Sequence, residues 1–421
     1  MKIGIFTYGT RGDVQPYIAL ALGLIDRGHE VTIAAPENFK NLAAGFGIGF
    51  HPLVGDAERE MNSTAGQKVV QTGNTIKLLK FFYEALHTIR HPLRQSYLEA
   101  AAKVDFIVAN LATLPIISAI AEKQNKKMAL TYFMPPPVPT NEFAMAGLDF
   151  INLKGYNKFS YKLARIFYWK FVKEDTNEFR KELGLTPLFE NLADYIDRAK
   201  PLDLYCFSPS LIPRPADWEP HHQVTGFLTV PAKKRENHSD DHLPAGLSEW
   251  LGQGPKPIYI GFGSNGVGDH INIGAILQEL LDQTGERILF CTGWALYRNL
   301  PEHSRLFIAK YVNHEVVLPL CKLGLFHGGA GTLAAMLRNN LPVIIVSFYT
   351  DQPAWGKIIE RKHLGVHLPA KRLTAKKLLA AIALVQTDSI RENVTNLRER
   401  LLQENGVEMA VSAIEGYFGF Q

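Results

Sequence analysis

Short apolar runs alternate along this chain with longer stretches of helical spacing, and the alternation occurs twice. In the first half, residues 3–8, 30–35, 105–109, 128–133 and 202–207 read as strands. Runs this continuously apolar suit strands covered on both faces. Helical patterns lie between them, such as 75–97 and 14–27, the latter with Pro16 in its first turn and Gly28 as its stop. Residues 258–262, 288–292, 323–326 and 342–347 repeat the strand signal in the second half. Such alternation predicts α/β architecture in two doubly wound halves, each a parallel sheet with helices on both faces. From 226 to 254 the periodicity stops at Pro231, Lys233 to Arg235 and Pro244, which marks a linker. The predicted division is a first domain at 1–225, a linker at 226–254, a second domain at 255–395 and a C-terminal segment at 396–421. Residues 390–420 read as helical.

Bulk composition narrows the class. A chain of 421 residues accommodates two domains of ordinary size. With 46% hydrophobic and 20% charged residues it is not a disordered chain. A net charge of +4 is small and its basic residues are scattered, so no nucleic-acid partner is expected. Cys206, Cys291 and Cys321 form no CxxC and no metal-ligand spacing, which predicts buried, reduced thiols. Met1-Lys2-Ile3 runs straight into a strand without a leader pattern, and no apolar run reaches a membrane span. The expected location is therefore cytoplasmic, and the Asn-x-Ser/Thr matches at Asn62, Asn237 and Asn393 carry no meaning.

The stretch richest in chemistry is His327-Gly328-Gly329-Ala330-Gly331-Thr332, which leaves a strand and enters a helix predicted at 333–338. A glycine-rich strand-to-helix turn presents bare N–H groups at the positive end of a helix, where phosphate is held. His327 and Thr332 add side-chain donors. Nineteen residues after Thr332, Asp351-Gln352 follows the next strand, with oxygens and an NH2 suited to sugar hydroxyls. Phosphate and sugar ligands on adjacent strand ends point to a nucleotide-sugar.

That segment resembles the donor signature of the nucleotide-sugar glycosyltransferases of the GT-B fold, in the branch of sterol glucosyltransferases and glycopeptide-antibiotic glycosyltransferases. Gly9-Thr10-Arg11-Gly12-Asp13-Val14-Gln15-Pro16 resembles the branch's N-terminal motif, and Gly293-Trp294 and Asp351-Gln352-Pro353-Ala354-Trp355 its later ones. Phe133-Met134-Pro135-Pro136-Pro137 and the run from Ser208-Pro209 to Pro213-Arg214-Pro215 are similar too, so the likeness covers nearly the whole chain. The resemblance implies two Rossmann-like domains facing a cleft, with a C-terminal helix crossing back to the first. It implies inverting transfer of a hexose, glucose by preference, from a UDP-sugar to a hydroxyl.

In that reading Asp13 is the general base that takes the acceptor proton. The plainer reading is that Asp13 caps the helix starting at Val14, and both can hold. A helix N-terminus lowers a carboxyl pKa while an apolar cover raises it, and the sequence leaves open which dominates. The Arg11-Gly12-Asp13 adhesion tripeptide has no bearing in a strand-to-helix turn. No Asp-x-Asp occurs, so the expectation is a metal-independent enzyme without cofactor, whose leaving diphosphate meets protein donors. Those are Gly263, Ser264, His327, Gly329, Ala330, Gly331 and Thr332. The resemblance places Tyr311 and Val312 at the nucleobase and Trp294 beside the donor, with Asp351 and Gln352 on the sugar. It also shows departures: Asn313 replaces a usual proline, and Ala335 stands where plant relatives carry a ribose-binding glutamate.

Acceptor walls are expected in 57–93 and 133–171. Thr10, Arg11, Phe133, Met134 and Phe143 are the named candidates, and Met145, Phe150, Phe159, Tyr161, Phe167, Tyr168 and Trp169 are equally readable as packing. Partners are then a UDP-sugar and an apolar small-molecule or lipid acceptor. The basic-aromatic run 154–173 adds peripheral membrane contact. A nucleotide-sugar epimerase, a TDP-sugar antibiotic glycosyltransferase and a non-catalytic subunit on the same fold remain alternatives. A dehydrogenase is disfavoured because no Gly-x-Gly-x-x-Gly follows the first strand.

Overall fold

The computed structural model describes residues 1–72, 74–135, 137–149, 151–235, 243–263, 271–293, 295, 297 and 299–419. The chain divides into two compact units: residues 1–57, 82–234 and 404–421 form the first, and 58–81 with 235–403 the second. Residues 58–81 therefore group with the second unit, although the sequence runs them through the first domain.

Among the described residues, unit 1 holds strands β1 (Lys2–Phe6), β2 (Glu30–Pro36), β3 (Gly49–Leu53), β4 (Phe106–Asn110), β5 (Met128–Tyr132), β6 (Leu202–Tyr205) and β7 (His222–Val224). They form one sheet in the order β3-β2-β1-β4-β5-β6-β7, every neighbouring pair parallel. Unit 2 holds β8 (Ile258–Gly261), β9 (Ile288–Cys291), β10 (Leu306–Ala309), β11 (Leu323–Phe326), β12 (Val343–Ser347) and β13 (Gly365–Pro369), in the order β10-β9-β8-β11-β12-β13 and again parallel. Both sheets reverse winding beside their first strand, between β1 and β4 and between β8 and β11. Ligands of such sheets bind at that switch point, beyond the carboxyl ends of the strands.

The predicted strands are found within two residues at each end, because β1, β4, β8, β11 and β12 are almost wholly buried and so unmistakably apolar. β3, β7, β10 and β13 escaped the sequence reading, and for a shared reason. Each lies at or next to a sheet edge, is short, and mixes exposed or polar residues into the run, with Pro52 inside β3 and His222 opening β7. The helical pattern at 75–97 is two helices, Thr75–Thr88 and Arg90–Ala102. The expected linker also contains structure: Leu247–Gly252 is helical, with the Arg287 guanidinium 3.9 Å over the Trp250 ring.

In unit 1 the helix Arg11–Asp26 buries Val14, Tyr17, Ile18, Leu20 and Leu24 against Ile3, Ile5, Ile33 and Val108 of the sheet. Each such side chain contributes about 1.5–3 kcal/mol by leaving water. The last helix, Gly406–Phe418, completes that core with Val411, Ile414 and Phe418, and Phe418 stacks on Phe106 at 4.4 Å. The preceding helix, Asp388–Gln403, belongs to unit 2. No helix among the described residues is long and apolar enough to cross a membrane. The three cysteines are buried and free.

Candidate functional site

In unit 1 the switch point is built by the loop after β1. The helix begins at Arg11, three residues before the sequence placed it, with Thr10 as its N-cap and Asp13 in its first turn. Asp13 is thus not the cap itself. Its Oδ2 accepts from the Thr10 N–H at 2.7 Å and the Thr10 hydroxyl at 3.1 Å, the reciprocal half of a capping box. Gly9, at φ +144°, leaves room for this: a methyl there would lie 2.3 Å from Oδ2. Behind the carboxylate, the Asn110 amide at the end of β4 donates to the Thr7 hydroxyl at 2.9 Å. That hydroxyl donates to the Asp13 carbonyl at 2.9 Å. Thr7 and Asn110 were missed by the sequence reading, and their signal was a polar residue closing an apolar strand run.

Burial raises the Asp13 carboxyl above the ordinary carboxylate range, against the two Thr10 hydrogen bonds that pull it down. The competition left open by the sequence thus falls to desolvation. Phe133 and Met134, half-buried, follow β5, two strands away on the same edge of the sheet. Phe133 packs edge-on to Tyr17 at 5.2 Å. Arg11 instead reaches along its own helix, Nε donating to Gln15 Oε1 at 3.1 Å. Phe143 is half-buried, and Phe150 lies outside the described residues. The aromatic run after it divides: Tyr161 and Trp169 are core, whereas Phe159, Leu163, Ile166 and Phe167 are exposed on the helix Lys154–Glu182.

In unit 2 a cavity opens at the second switch point, lined by Tyr259, Gly261, Gly263, Cys291, Gly293, Lys310, Tyr311, Val312, His314, His327 and Thr332. It therefore brings together Gly263, Tyr311, Val312, His327 and Thr332. Ser264 and Trp294 lie outside the described residues. The helix begins at Ala330 rather than Leu333 and ends at Arg338, with Gly329 as N-cap. Its first hydrogen bond runs from the Leu333 N–H to the Gly329 carbonyl, so the N–H groups of Ala330, Gly331 and Thr332 stand ahead of it at the positive helix end.

The His327 ring is wedged between Gly263 and Gly329, where a methyl would come within 3.0 and 2.5 Å of it. Burial, reinforced by His314, pushes its pKa down to about 4, so the imidazole is neutral near pH 7 and carries a single N–H. Its Nδ1 is buried without a hydrogen-bond partner. Beneath the cavity the Tyr259 hydroxyl meets His314 Nε2 at 2.7 Å, and burial holds that phenol well above its usual pKa. Tyr259 was given no role by the sequence, since a tyrosine inside an apolar strand reads as packing, whereas His314 closes the segment 310–314 that the family resemblance points to for the base. Tyr311 is exposed, Val312 buried, and Asn313 caps the short helix His314–Val317 by accepting from the Glu315 N–H at 3.0 Å.

Asp351 and Gln352 stand beside the glycine loop but do not line this cavity. Ile345 and Gln352 pack against Gly328, at φ +98°, at 2.9 and 3.2 Å from where its side chain would begin. Gln352 is buried, and its carbonyl oxygen accepts from the Phe348 and Tyr349 N–H groups at 2.8 and 3.4 Å. That oxygen, expected on the sugar, is thus committed to the turn after β12. Asp351 Oδ1 accepts from the Thr350 hydroxyl at 2.9 Å.

Comparison with known proteins agrees with both halves. Residues 3–143 match the glycosyltransferase family 28 N-terminal domain, and residues 276–414 the erythromycin biosynthesis protein CIII-like C-terminal domain. Two sterol 3-beta-glucosyltransferases of Arabidopsis thaliana are 32% and 30% identical over 98% of this chain. The chain spans 65% and 67% of their lengths, about two thirds. An uncharacterised glycosyltransferase of Mycobacterium bovis is 27% identical over 95% of this chain and 94% of its own. Among solved structures, the spinosyn forosaminyltransferase SpnP superposes with a TM-score of 0.68 at 16% identity, covering 100% of this chain and 99% of its own. The Streptomyces sp. SF2575 glycosyltransferase SsfS6, complexed with thymidine diphosphate, gives 0.61 at 19% identity over 99% of each chain. The chain belongs to the GT-B glycosyltransferases, in the branch that holds the sterol glucosyltransferases and the antibiotic glycosyltransferases.

Proposed function

We propose that this protein transfers glucose from UDP-glucose to a hydroxyl of a large apolar acceptor of the sterol class, with inversion at the anomeric carbon. The observation that carries the reading is the neutral His327 beside the open helix start at Ala330 to Thr332, in a switch-point cavity with Tyr311 at its rim. A diphosphate leaving group gains charge as the glycosidic bond breaks. Backbone N–H groups at a helix N-terminus and an imidazole N–H stabilise that charge more in the transition state than before it. With no Asp-x-Asp in the sequence, these donors take the part that a metal would otherwise fill. Tyr311 offers an exposed ring for the base.

Asp13 supplies the other half of the reaction. Its carboxylate takes the acceptor's hydroxyl proton as the new C–O bond forms, and Thr10 fixes its orientation. With one such base and no carboxylate assigned as a nucleophile, transfer is a single displacement. Sterol-class acceptors are favoured by the Arabidopsis relatives, which are named for that activity. The exposed stripe of Phe159, Leu163, Ile166 and Phe167, with Lys158, Lys162 and Lys170 exposed along the same helix, suits an anionic lipid surface from which such an acceptor is drawn. Incubation with UDP-glucose and TDP-glucose against sterols, carotenoids, macrolides and glycopeptide aglycones, read by mass, tests the proposal. A sterol hexoside formed from UDP-glucose is the expected product. A product made only from TDP-glucose would replace the donor, and a new nucleotide-sugar without any glycoside would replace the reaction by epimerisation.

A further inference from the structure

We propose that Asp203, His221 and His222 form a binding site for one divalent transition-metal ion, zinc by preference, which ties β6 to the edge strand β7. The three sit at the amino ends of these strands, at the opposite edge of the unit 1 sheet from the Asp13 loop. Asp203 and His222 are register partners in the parallel pair. Backbone bonds fix the frame: the Asp203 N–H donates to the His221 carbonyl at 2.9 Å and the His222 N–H to the Glu219 carbonyl at 3.0 Å. One ligating atom from each of the three side chains lies within 4.8 Å of the others.

The local chemistry favours a cation. Asp203 is 3% exposed and His222 7%, and a buried carboxylate without full compensation is costly. His222 Nδ1 lies 2.8 Å from Asp203 Oδ2, yet Nδ1 and the second oxygen, Oδ1, have no hydrogen-bond partner. His222 and Asp203 thus form a close pair, and Asp203 Oδ1 is left as a buried acceptor open to a further ligand. Zinc takes imidazole nitrogen and carboxylate oxygen at about 2.0–2.2 Å, which puts two tetrahedral ligands roughly 3.3 Å apart. The three atoms already lie within 4.8 Å of one another, against that spacing.

The His221 ring lies beside that of His222, with centroids 3.9 Å apart. It is only partly buried, so water can fill a fourth position. Around the cluster, Asp194 and Asp197 pair with Arg165 and Glu219 with Lys200, while the Arg214 guanidinium donates to the His222 and Glu219 carbonyls. Imidazole with carboxylate suits zinc, cobalt or nickel over magnesium.

The test uses the full chain after chelator treatment and desalting, with Zn2+ in calorimetry and Co2+ as the spectroscopic probe. Expected are one Zn2+ per chain, a Tm that rises with zinc, a visible cobalt band of low-symmetry coordination, and no response to Mg2+. His221→Ala alters a part-exposed ring and should keep the fold by circular dichroism. It should weaken Zn2+ by about tenfold or more and abolish the cobalt band, while His87→Ala, on the helix Thr75–Thr88, changes neither. Asp203→Asn repeats the test from the buried side, and if it does not fold, His221→Ala decides alone. No rise in Tm at about 100 µM Zn2+ would overturn the site, and so would equal affinity in the parent and His221→Ala. Neither readout depends on glycosyl transfer.

Discussion

Thr10 and Asp13 hold each other across the first turn of the helix Arg11–Asp26, with both Thr10 donors on a single carboxylate oxygen, Oδ2, at 2.7 and 3.1 Å. The other oxygen takes no hydrogen bond among the described residues. One half of the group is therefore anchored. In the proposed reaction the other half meets the acceptor hydroxyl, so that capping and catalysis, which compete as readings of the sequence, fall to two ends of one side chain.

That division makes Asp13→Asn informative. The amide oxygen can still accept from Thr10, so stability should fall by no more than about 1 kcal/mol. The amide cannot take a proton, so kcat should fall by about 10²–10⁴ with UDP affinity almost unchanged. Thermal melts, kinetics and UDP calorimetry on the same preparation separate the two effects. Near-full activity would leave Asp13 with its capping role alone.

The acid limb of the pH–rate profile should report the same carboxyl. A base must be ionised to accept a proton, so activity is lost as pH falls through the Asp13 pKa. Burial places that pKa above the ordinary carboxylate range. Thr10→Val removes the hydroxyl bond that lowers it, so the limb should move to higher pH, with little change on the plateau. A limb that moves down, or not at all, would disconnect it from Asp13.

The donor loop and the sugar pair should fail differently. Thr332→Ala and His327→Ala remove donors to the diphosphate and should weaken UDP itself as well as turnover, by about tenfold or more. Burial lowers the His327 pKa to about 4, so its ring stays neutral from pH 8 to about 5.5, and any change of UDP affinity in that range, where the nucleotide's terminal phosphate itself ionises, should persist in His327→Ala. Asp351→Ala should leave UDP affinity almost intact and show its loss only with UDP-glucose. Gln352→Ala should do that and also lower stability by about 1–3 kcal/mol, since it strips a buried acceptor from the Phe348 N–H. Calorimetry with UDP and UDP-glucose, beside melts, checks all four; equal loss of UDP in both groups would show the sugar pair misassigned.

The exposed stripe gives a separate prediction. Phe159→Ser with Phe167→Ser should cut sedimentation with vesicles containing anionic lipid several-fold while leaving Tm unchanged, because both rings are exposed. Activity on a detergent-solubilised acceptor should persist. Unchanged vesicle binding would remove this face from membrane contact.

Much of this was legible because buried parallel strands announce themselves. β1, β4, β8, β11 and β12 are apolar but for a polar end residue or a tyrosine, and the segments that follow β1, β8 and β11 carry Asp13, Gly263 and His327. Helix starts were less legible. Arg11 and Ala330 precede the apolar spacing that periodicity detects, since the first turn of each helix faces its loop rather than the core. Tyr259 and Asn110 were invisible because a single polar atom on a buried strand looks like packing until its partner is known. The Gln352 amide lies beside the loop, yet its oxygen accepts from the Phe348 and Tyr349 N–H groups four and three residues earlier in the same turn, a contact that apolar spacing does not encode.

The anomeric configuration of the product tests the central claim most directly. UDP-glucose is α-linked, and a single displacement driven by the Asp13 base and relieved by the His327 to Thr332 donors must deliver the sugar through its opposite face. Proton NMR of the purified sterol glycoside should therefore show the β-anomer alone. An α-linked glucoside would contradict the account, as would release of UDP with no glycoside formed.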